Sequence, residues 1–440
     1  MRVAVIGGGI AGLTAAYDLA NAGADVTVFE ASDRWGGKIF SSPVGERRVD
    51  AGPDNFLARV PDATALCKEL GLGSRLTVPV APVPAYIYRS GALHRLPEGT
   101  MLGVPTDFSA LKGLISETGI ERAELDLSLP ATPISSATSV DDYCRARLGD
   151  EVTDVLVDPL VGGINASSIK HLSFEHGAAQ LFAAAQRSPS LVEGLRAARS
   201  KVGATLGSAG KNEPVFYGLE GGMATLIEAL VDHLEPRSDL RLGSPLVELP
   251  PGFDSVIVAT EAHAAARLME RQQPEASELL HQIHHASVAQ VTMEIPKGQI
   301  EPLDASGILV PRTEGMLMTA CTWFSTKWAQ YASPDHFLVR ITSGRFHDQR
   351  AALLGDTELI NQLTRDFATV YADPGEPHSV RVVRWPNAFP QYQPGHAALV
   401  DEIDEALSES NVKVIGNSYR GIGIPATIKL ARQTAAAVLG

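Results

Sequence analysis

Arg2-Val3-Ala4-Val5-Ile6-Gly7-Gly8-Gly9-Ile10-Ala11-Gly12, then Leu13 to Ala22, then Val26-Thr27-Val28-Phe29-Glu30, decides the fold of this 440-residue chain. Arg2 to Ile6 is a short apolar run of the kind buried as a parallel strand. Gly7 to Gly12 supply G-x-G-x-x-G, Leu13 to Ala22 continue as a helix of small residues, and a second strand ends on Glu30. Gly7 permits the tight strand-to-helix turn, Gly9 lets backbone approach a pyrophosphate, and Gly12 lets helix and strand pack closely. Gly8, Ile10 and Ala11 complete a helix N-terminus whose unpaired N–H groups and positive dipole end face that anion. Glu30, eighteen residues after Gly12 and beside Ala31, stands where an acid grips ribose hydroxyls. The expectation is a dinucleotide site.

The next residues decide which dinucleotide. Arg34-Trp35-Gly36-Gly37-Lys38 follows Glu30 almost at once, and Asp50-Ala51-Gly52-Pro53-Asp54-Asn55 comes soon after. A plain NAD domain would move to another crossover helix at this point. A second Gly-Gly beside basic residues instead wraps more backbone around an extended cofactor, which points to FAD. Gly36, Gly37, Lys38, Gly52, Pro53, Asp54 and Asn55 join the cofactor-binding candidates.

The chain is long enough for two or three domains, and its 45% apolar and 20% charged content is ordinary for a globular protein. A formal net charge of −14 argues against nucleic-acid binding and against a basic membrane-binding surface, while leaving room for a local basic pocket. Cys67, Cys144 and Cys321 are widely spaced without C-x-x-C, which fits reduced thiols in the cytoplasm and gives no metal or disulfide framework. The first apolar stretch runs into the βαβ unit and is glycine-rich, so it is not read as a signal peptide. No run of eighteen apolar residues suggests a transmembrane helix. His281, His284 and His285 have helical spacing and no completing carboxylate, and are expected on a surface helix. Cys321 is expected to be a small core thiol. Neither G-x-S-x-G nor a P-loop lysine occurs.

Two later stretches extend the nucleotide fold. Ser255 to Thr260 is a buried-strand pattern, Val412 to Gly416 is another, and Ile424 to Leu439 is a small-residue helix with Pro425 suited to its first turn. The expected class is α/β with α+β insertions: a Rossmann-like FAD-binding domain built from three segments (1–60, 205–265 and 405–440). A mixed-sheet substrate domain (61–88, 172–204 and 266–404) and a mainly helical inserted domain (89–171) would complete it. Alternation in Gln290 to Ile295 and His336 to Ile341 suggests a sheet with one covered face, able to floor a cavity. Val140 to Leu148 reads as a helix beside the Pro/Ser/Thr-rich linker Leu129 to Ser136.

Six further stretches occur in order: Asp50 to Arg59, Asp158 to Ala166, Gly221-Gly222-Met223, Thr319 to Trp323 with Lys327-Trp328, Arg384 to His396, and Gly416 to Pro425. With these motifs the chain resembles the flavin-dependent porphyrinogen oxidases of the amine-oxidase-like superfamily, most closely the Gram-positive-type coproporphyrinogen III oxidases. The resemblance covers almost the whole chain. It implies FAD contacts from Val247, Trp385, Gly421, Ile422, Gly423 and Ile424, with the helix starting near Pro425 set against the N1–C2 region of the flavin. It implies a porphyrinogen with four propionates, met by Arg59, Asn165 and Thr322. Asn165 or the backbone of Gly163 would guide the proton, and no general base is evident. Asn165 and Ser167 replace the usual Tyr and Gly, and Val60 stands where many relatives carry Lys. Only six residues separate Val247 from Asp254, where relatives insert another strand pair.

The chemistry implied is hydride transfer from a meso carbon with loss of a pyrrole N–H proton, repeated three times. O2 reoxidises the flavin each time and H2O2 is released. A transient contact with the next haem-pathway enzyme is expected. The alternatives are protoporphyrinogen IX oxidase, an amine oxidase on the same scaffold, and a flavoprotein that binds porphyrin without turnover.

Overall fold

The computed structural model describes residues 1–80, 85–206 and 214–440, with the side chains of 201–206 left aside. Parts of two expected segments, 81–84 and 207–213, lie outside the described residues. The chain divides into two compact units, the first comprising Met1–Pro79, Pro214–His284 and Ala397–Gly440, the second Val80–Glu213 and His285–His396.

The first unit is built on a five-stranded parallel sheet in the order Asp239–Arg241, Asp25–Phe29, Arg2–Ile6, Ser255–Val258, Val412–Val414. Three separated segments supply it. Its central strands, Arg2–Ile6, Asp25–Phe29 and Ser255–Val258, are buried on both faces, which is why they read as largely apolar runs; Asp239–Arg241 at the edge is mostly exposed. Val3, Val5, Val26, Val28 and Ile257 face one core, shared with helices Ile10–Asn21, Pro61–Glu69, Ala224–Leu234 and Ile424–Leu439. Ala4, Ile6, Phe29, Val256 and Val258 face the other, shared with Ala262–Met269, Pro274–His281 and His396–Ala406. Ala11, Gly12, Ala15 and Ala16 are buried along helix Ile10–Asn21, so small side chains let it lie close to the sheet.

The second unit carries a seven-stranded mixed sheet in the order Ser379–Pro390, His285–Pro296, His336–Ser343, Met318–Trp323, Gly307–Leu309, Ala85–Arg89, Ala92–Arg95. Only the pairing of Gly307–Leu309 with Ala85–Arg89 is parallel. Val291, Met293, Ile295, Val339 and Ile341 form one apolar face, covered by Leu359, Leu363 and Phe367 of helix Asp356–Val370. The alternation in the sequence is this one-sided burial. A helical part gathers around Tyr143, Leu148, Leu156, Leu181 and Leu195.

Three expectations need correction. Helix Pro61–Glu69 does not join the substrate-binding part: Ala63, Leu66 and Cys67 pack into the core beneath the nucleotide-type sheet. The helical part does not end at 171, because Phe174, Leu181, Leu191 and Leu195 share its core, which the apolar pattern of 89–171 alone could not reveal. His284 and His285 are not helical. The helix stops at His281, His284 lies in the connection, and His285 opens a long strand. Among the described residues no three His, Cys, Asp or Glu side chains form a metal set, and no helix is long and apolar enough to cross a membrane.

Candidate functional site

The first unit's chemistry-bearing residues collect at the carboxyl ends of its parallel strands, where ligands bind in open α/β sheets. Gly7 leaves the first strand with φ +112°, a conformation costly for any side chain, and donates its N–H to Phe29 O at 2.8 Å. A Cβ at Gly12 would stand 2.0 Å from Gly7 O, so only glycine lets the helix start here. Gly9 is the N-cap of helix Ile10–Asn21 and supplies no side-chain cap. A Cβ on Gly9 would meet nothing within 4 Å. The space beside Gly9 is therefore open at the helix start, where the first-turn amides and the dipole's positive end lie.

Glu30 is held at the rim of this cradle. Its carboxylate accepts from Gly8 N at 2.7 Å, Ser32 N at 2.8 Å and Ser32 Oγ at 2.7 Å. Ala31 beside it is exposed. The following loop is tied down by Ser244 N donating to Glu30 O at 2.8 Å, and Val247 in that loop is 88% exposed. Gly36 N donates to Gly8 O at 2.7 Å, bringing the second Gly-Gly onto the first, and a Cβ at Gly37 would lie 3.3 Å from Gly9 Cα. Gly52 presses on Lys38 O, where a Cβ would stand at 2.0 Å. Asp54 is buried, and Pro53 and Asn55 are half-buried beside it.

A second open helix start lies in the same unit. Gly423 caps helix Ile424–Leu439 without a side-chain bond, Pro425 occupies its first turn, and Ile424 is buried while Ile422 is half-buried. Gly421 precedes it at φ +139°. Between the strand ends, Lys38 Nζ pairs with Glu261 at 3.0 Å and donates to Asn417 Oδ1 at 3.3 Å. Burial alone would raise the Glu261 carboxyl, but the Lys38 ammonium holds it below its ordinary value. Arg34 stacks on Phe40 at 4.2 Å, and its buried Nη1 has no hydrogen-bond partner among the described residues. Burial pushes the Arg34 guanidinium down, against the upward pull of Glu30 and Asp33. An orphaned cationic N–H, two uncapped helix starts and an empty Cβ position at Gly9 fit an elongated, pyrophosphate-bearing cofactor.

Arg59 follows the short strand Phe56–Leu57, is exposed, and makes no side-chain hydrogen bond or ion pair with any described residue. Gly163, Asn165, Thr322 and Trp385 belong to the second unit. Gly163 and Ile164 are exposed at the end of a π-helical stretch, Thr153–Gly162, an uncommon geometry that concentrates at functional sites. Asn165 is buried. Its Nδ2 donates to Val161 O at 2.8 Å, and its backbone carbonyl accepts from Gln391 Nε2 at 3.1 Å. Ala166 then takes φ +48°. Trp385 packs beside Ala166, Val288 and Phe346. Thr322 is half-buried, opposite Gly307 and Arg340 in the sheet. Cys321 is 3% exposed, and burial drives its thiol up, as a core thiol requires.

Sequence reasoning gave no role to Glu261, Asn417, Arg34 or Gln391. Glu261 and Asn417 had a signal, as polar residues just past apolar strand runs. Gln391 had none beyond its motif.

Residues 10–439 match the family described as flavin containing amine oxidoreductase. The coproporphyrinogen III oxidase of Bacillus subtilis (strain 168) is 33% identical, across 96% of this chain and 95% of that protein. The Mycobacterium bovis protein of the same name is 34% identical, across 99% and 96%. A solved structure from Exiguobacterium sp. 255-15, provisionally named a protoporphyrinogen oxidase, superposes with a TM-score of 0.87 at 28% identity, covering 99% of this chain and 98% of that one.

Proposed function

The chain belongs to the flavin-containing amine oxidoreductase family, and within it we propose that the reaction is oxidation of coproporphyrinogen III to coproporphyrin III in haem biosynthesis. FAD is the cofactor, and the chain is an oxidoreductase. The near-full-length likeness to proteins bearing that activity's name carries the reading. The three-round course with O2 as acceptor and H2O2 as by-product, the cytoplasmic location and a passing contact with the next haem-pathway enzyme belong to the same proposal.

Bound FAD supplies the two-electron acceptor for a substrate C–H bond. The protein's part is to bind, orient and enclose. The helix start from Gly9 to Gly12 would hold the pyrophosphate, with Gly8 donating its N–H to Glu30 and so fixing that carboxylate for the ribose; Gly36 to Lys38, Gly52 to Asn55 and Val247 would take the remaining length. The helix start at Gly421 to Ile424 offers positive charge to the ring edge. The buried Asn165 side chain, whose Nδ2 donates to Val161 O, would orient the pyrrole N–H that loses its proton, together with the Gly163 backbone.

Anaerobic mixing of the purified holoprotein with coproporphyrinogen III, then with protoporphyrinogen IX, tests the reading. Bleaching of the flavin band by the first at the higher rate is expected. A preference for the second would favour the activity named for the Exiguobacterium structure, and no bleaching by either would leave a porphyrin-binding flavoprotein without turnover.

Two variants test the residue assignments. Glu30→Ala removes a charge-assisted hydrogen bond, so FAD binding should weaken by about 1.5–3 kcal/mol, read by flavin retention on dilution. Full retention would take Glu30 away from the ribose. Arg59 has no side-chain partner among the described residues, so Arg59→Ala should leave folding and the flavin spectrum unchanged while raising KM for coproporphyrinogen about tenfold or more. Arg59→Lys should recover part of this, since a point charge cannot fork a carboxylate. An unchanged KM would return Arg59 to the solvated surface.

A further inference from the structure

In the second unit, outside every residue assigned above, two guanidiniums stand with too little negative charge around them. Arg345 lies just past strand His336–Ser343 and is half-buried, yet its side chain makes a single hydrogen bond to a described residue, Nη2 to Val310 O at 2.8 Å. No carboxylate of a described residue lies within ion-pair distance of it. Arg312, two residues beyond Val310, donates Nη2 to Ser167 O at 2.9 Å. Its Nε is buried without a hydrogen-bond partner among the described residues and makes only a long ion pair, to Asp158 at 3.7 Å. Asp158 is already shared, because its Oδ1 accepts from Ile169 N at 3.1 Å. The other nearby acid, Asp348, is taken by Arg350 through Nε at 2.9 Å and Nη2 at 2.8 Å.

Further cationic or ionisable groups border the pair. His171 and His347 meet edge to face with ring centroids 4.9 Å apart, and His171 feels Arg312 and Lys170 as well. Burial pushes Arg345 down to about 10, with Arg312 the next largest influence. A protein with net charge −14 thus sets Arg312 and Arg345 beside Asp158, which is shared, and Asp348, which Arg350 holds, with Lys170 near His171. A partly desolvated guanidinium without a counter-charge is costly, and an oxyanion that accepts two forked N–H bonds offsets that cost.

We propose that Arg312 and Arg345, with Lys170 and His347 at the rim, form an anion-binding site for a carboxylate or phosphate oxyanion. Two sources share that chemistry: free phosphate-type anions, and a propionate of the porphyrinogen, the latter resting on the function proposed above. The site adjoins the turn that carries Asn165. Arg312 holds Ser167 O, and Phe346 N donates to Ala166 O at 2.7 Å, so an occupant would brace that turn.

The holoprotein is titrated with inorganic phosphate against chloride at matched ionic strength, following thermal unfolding, and separately with coproporphyrin III, following porphyrin absorbance. The wild type should show saturable binding in at least one titration. Arg345→Gln and Arg312→Gln should weaken that binding about tenfold or more, at unchanged FAD content. Should Arg345→Gln lose FAD or fold poorly, exposed Lys170→Gln gives the same reading with a smaller loss. Loss confined to phosphate identifies a free anion as the occupant, and loss extending to coproporphyrin identifies a propionate. Wild-type affinity for both probes in the folded variants, or no saturable binding of either by the wild type, overturns the site. The porphyrinogen reading fails separately, if no porphyrinogen bleaches the flavin.

Discussion

Gly12→Val is expected to give a chain that holds no flavin and is destabilised by about 3 kcal/mol or more, because the new side chain has no space to enter. The Cβ alone would stand 2.0 Å from Gly7 O and 3.1 Å from Val5 Cγ1, both on the strand and turn that the helix must approach. Backbone cannot swing aside as a side-chain tip can. Helix and strand would separate, and the cradle between Gly7 and Gly12 would open with them. Gly9→Ala is the informative partner. Its Cβ meets nothing within 4 Å and its φ of −78° suits any residue, so the apoprotein should unfold at nearly the wild-type denaturant concentration. The methyl would enter the space proposed above for the pyrophosphate, so FAD retention should fall. Flavin absorbance per chain and denaturant unfolding of the apoprotein read the two effects separately. Equal stability loss in both variants would mean that Gly9 is a packing residue and not part of the cradle.

Asp126→Ala should cost about 3–5 kcal/mol, the typical result of stripping one partner from a buried ion pair. Asp126 and Arg147 are both fully buried, joined at 2.6 Å through Nε. The carboxylate also accepts from Ser190 Oγ at 2.6 Å, Leu191 N at 3.1 Å and Val192 N at 2.9 Å. It thereby satisfies the first amides of helix Leu191–Leu206, where negative charge is favoured. Arg147 in turn donates to Pro130 O at 2.6 Å and so pins the linker Leu129 to Ser136. Removing the carboxylate leaves a buried cation and uncapped amides at once. Unfolding of the holoprotein should begin in this helical part, with early loss of amide-exchange protection around 126–148 and 190–195. The nucleotide cradle proposed above is built by the first unit, so FAD should remain bound in the folded fraction. A stability loss below about 1 kcal/mol would show that the site relaxes or admits water.

The sequence was most legible where one local rule sufficed. Strands buried on both faces need apolar runs, so Arg2–Ile6 and Ser255–Val258, with Val412–Val414 broken only by half-buried Lys413, could be recognised without knowing their order in the sheet. Helices Val140–Leu148 and Ile424–Leu439 carry their own start signals, Ser139 as a side-chain cap in one and Pro425 in the first turn of the other. The glycine turn and Glu30 were legible for the same reason, since their spacing along the chain fixes their spacing in space.

What the sequence by itself determined, then, is the nucleotide-type βαβ opening, the three-segment sheet and the family motifs. Only the tertiary structure decided what depends on residues distant in sequence. Pro61–Glu69 belongs with the first unit because of what its apolar face meets, and a short amphipathic run carries no record of its partner. The same holds for Phe174 to Leu195, which extend the helical core past 171. Lys38 meets Glu261 and Asn417 because three parallel strands end at one edge. Arg312 and Arg345, thirty-three residues apart, share a deficit of negative charge because Val310 O ties one to the other's loop. A charge's cost depends on what surrounds it in space, and composition averages that away.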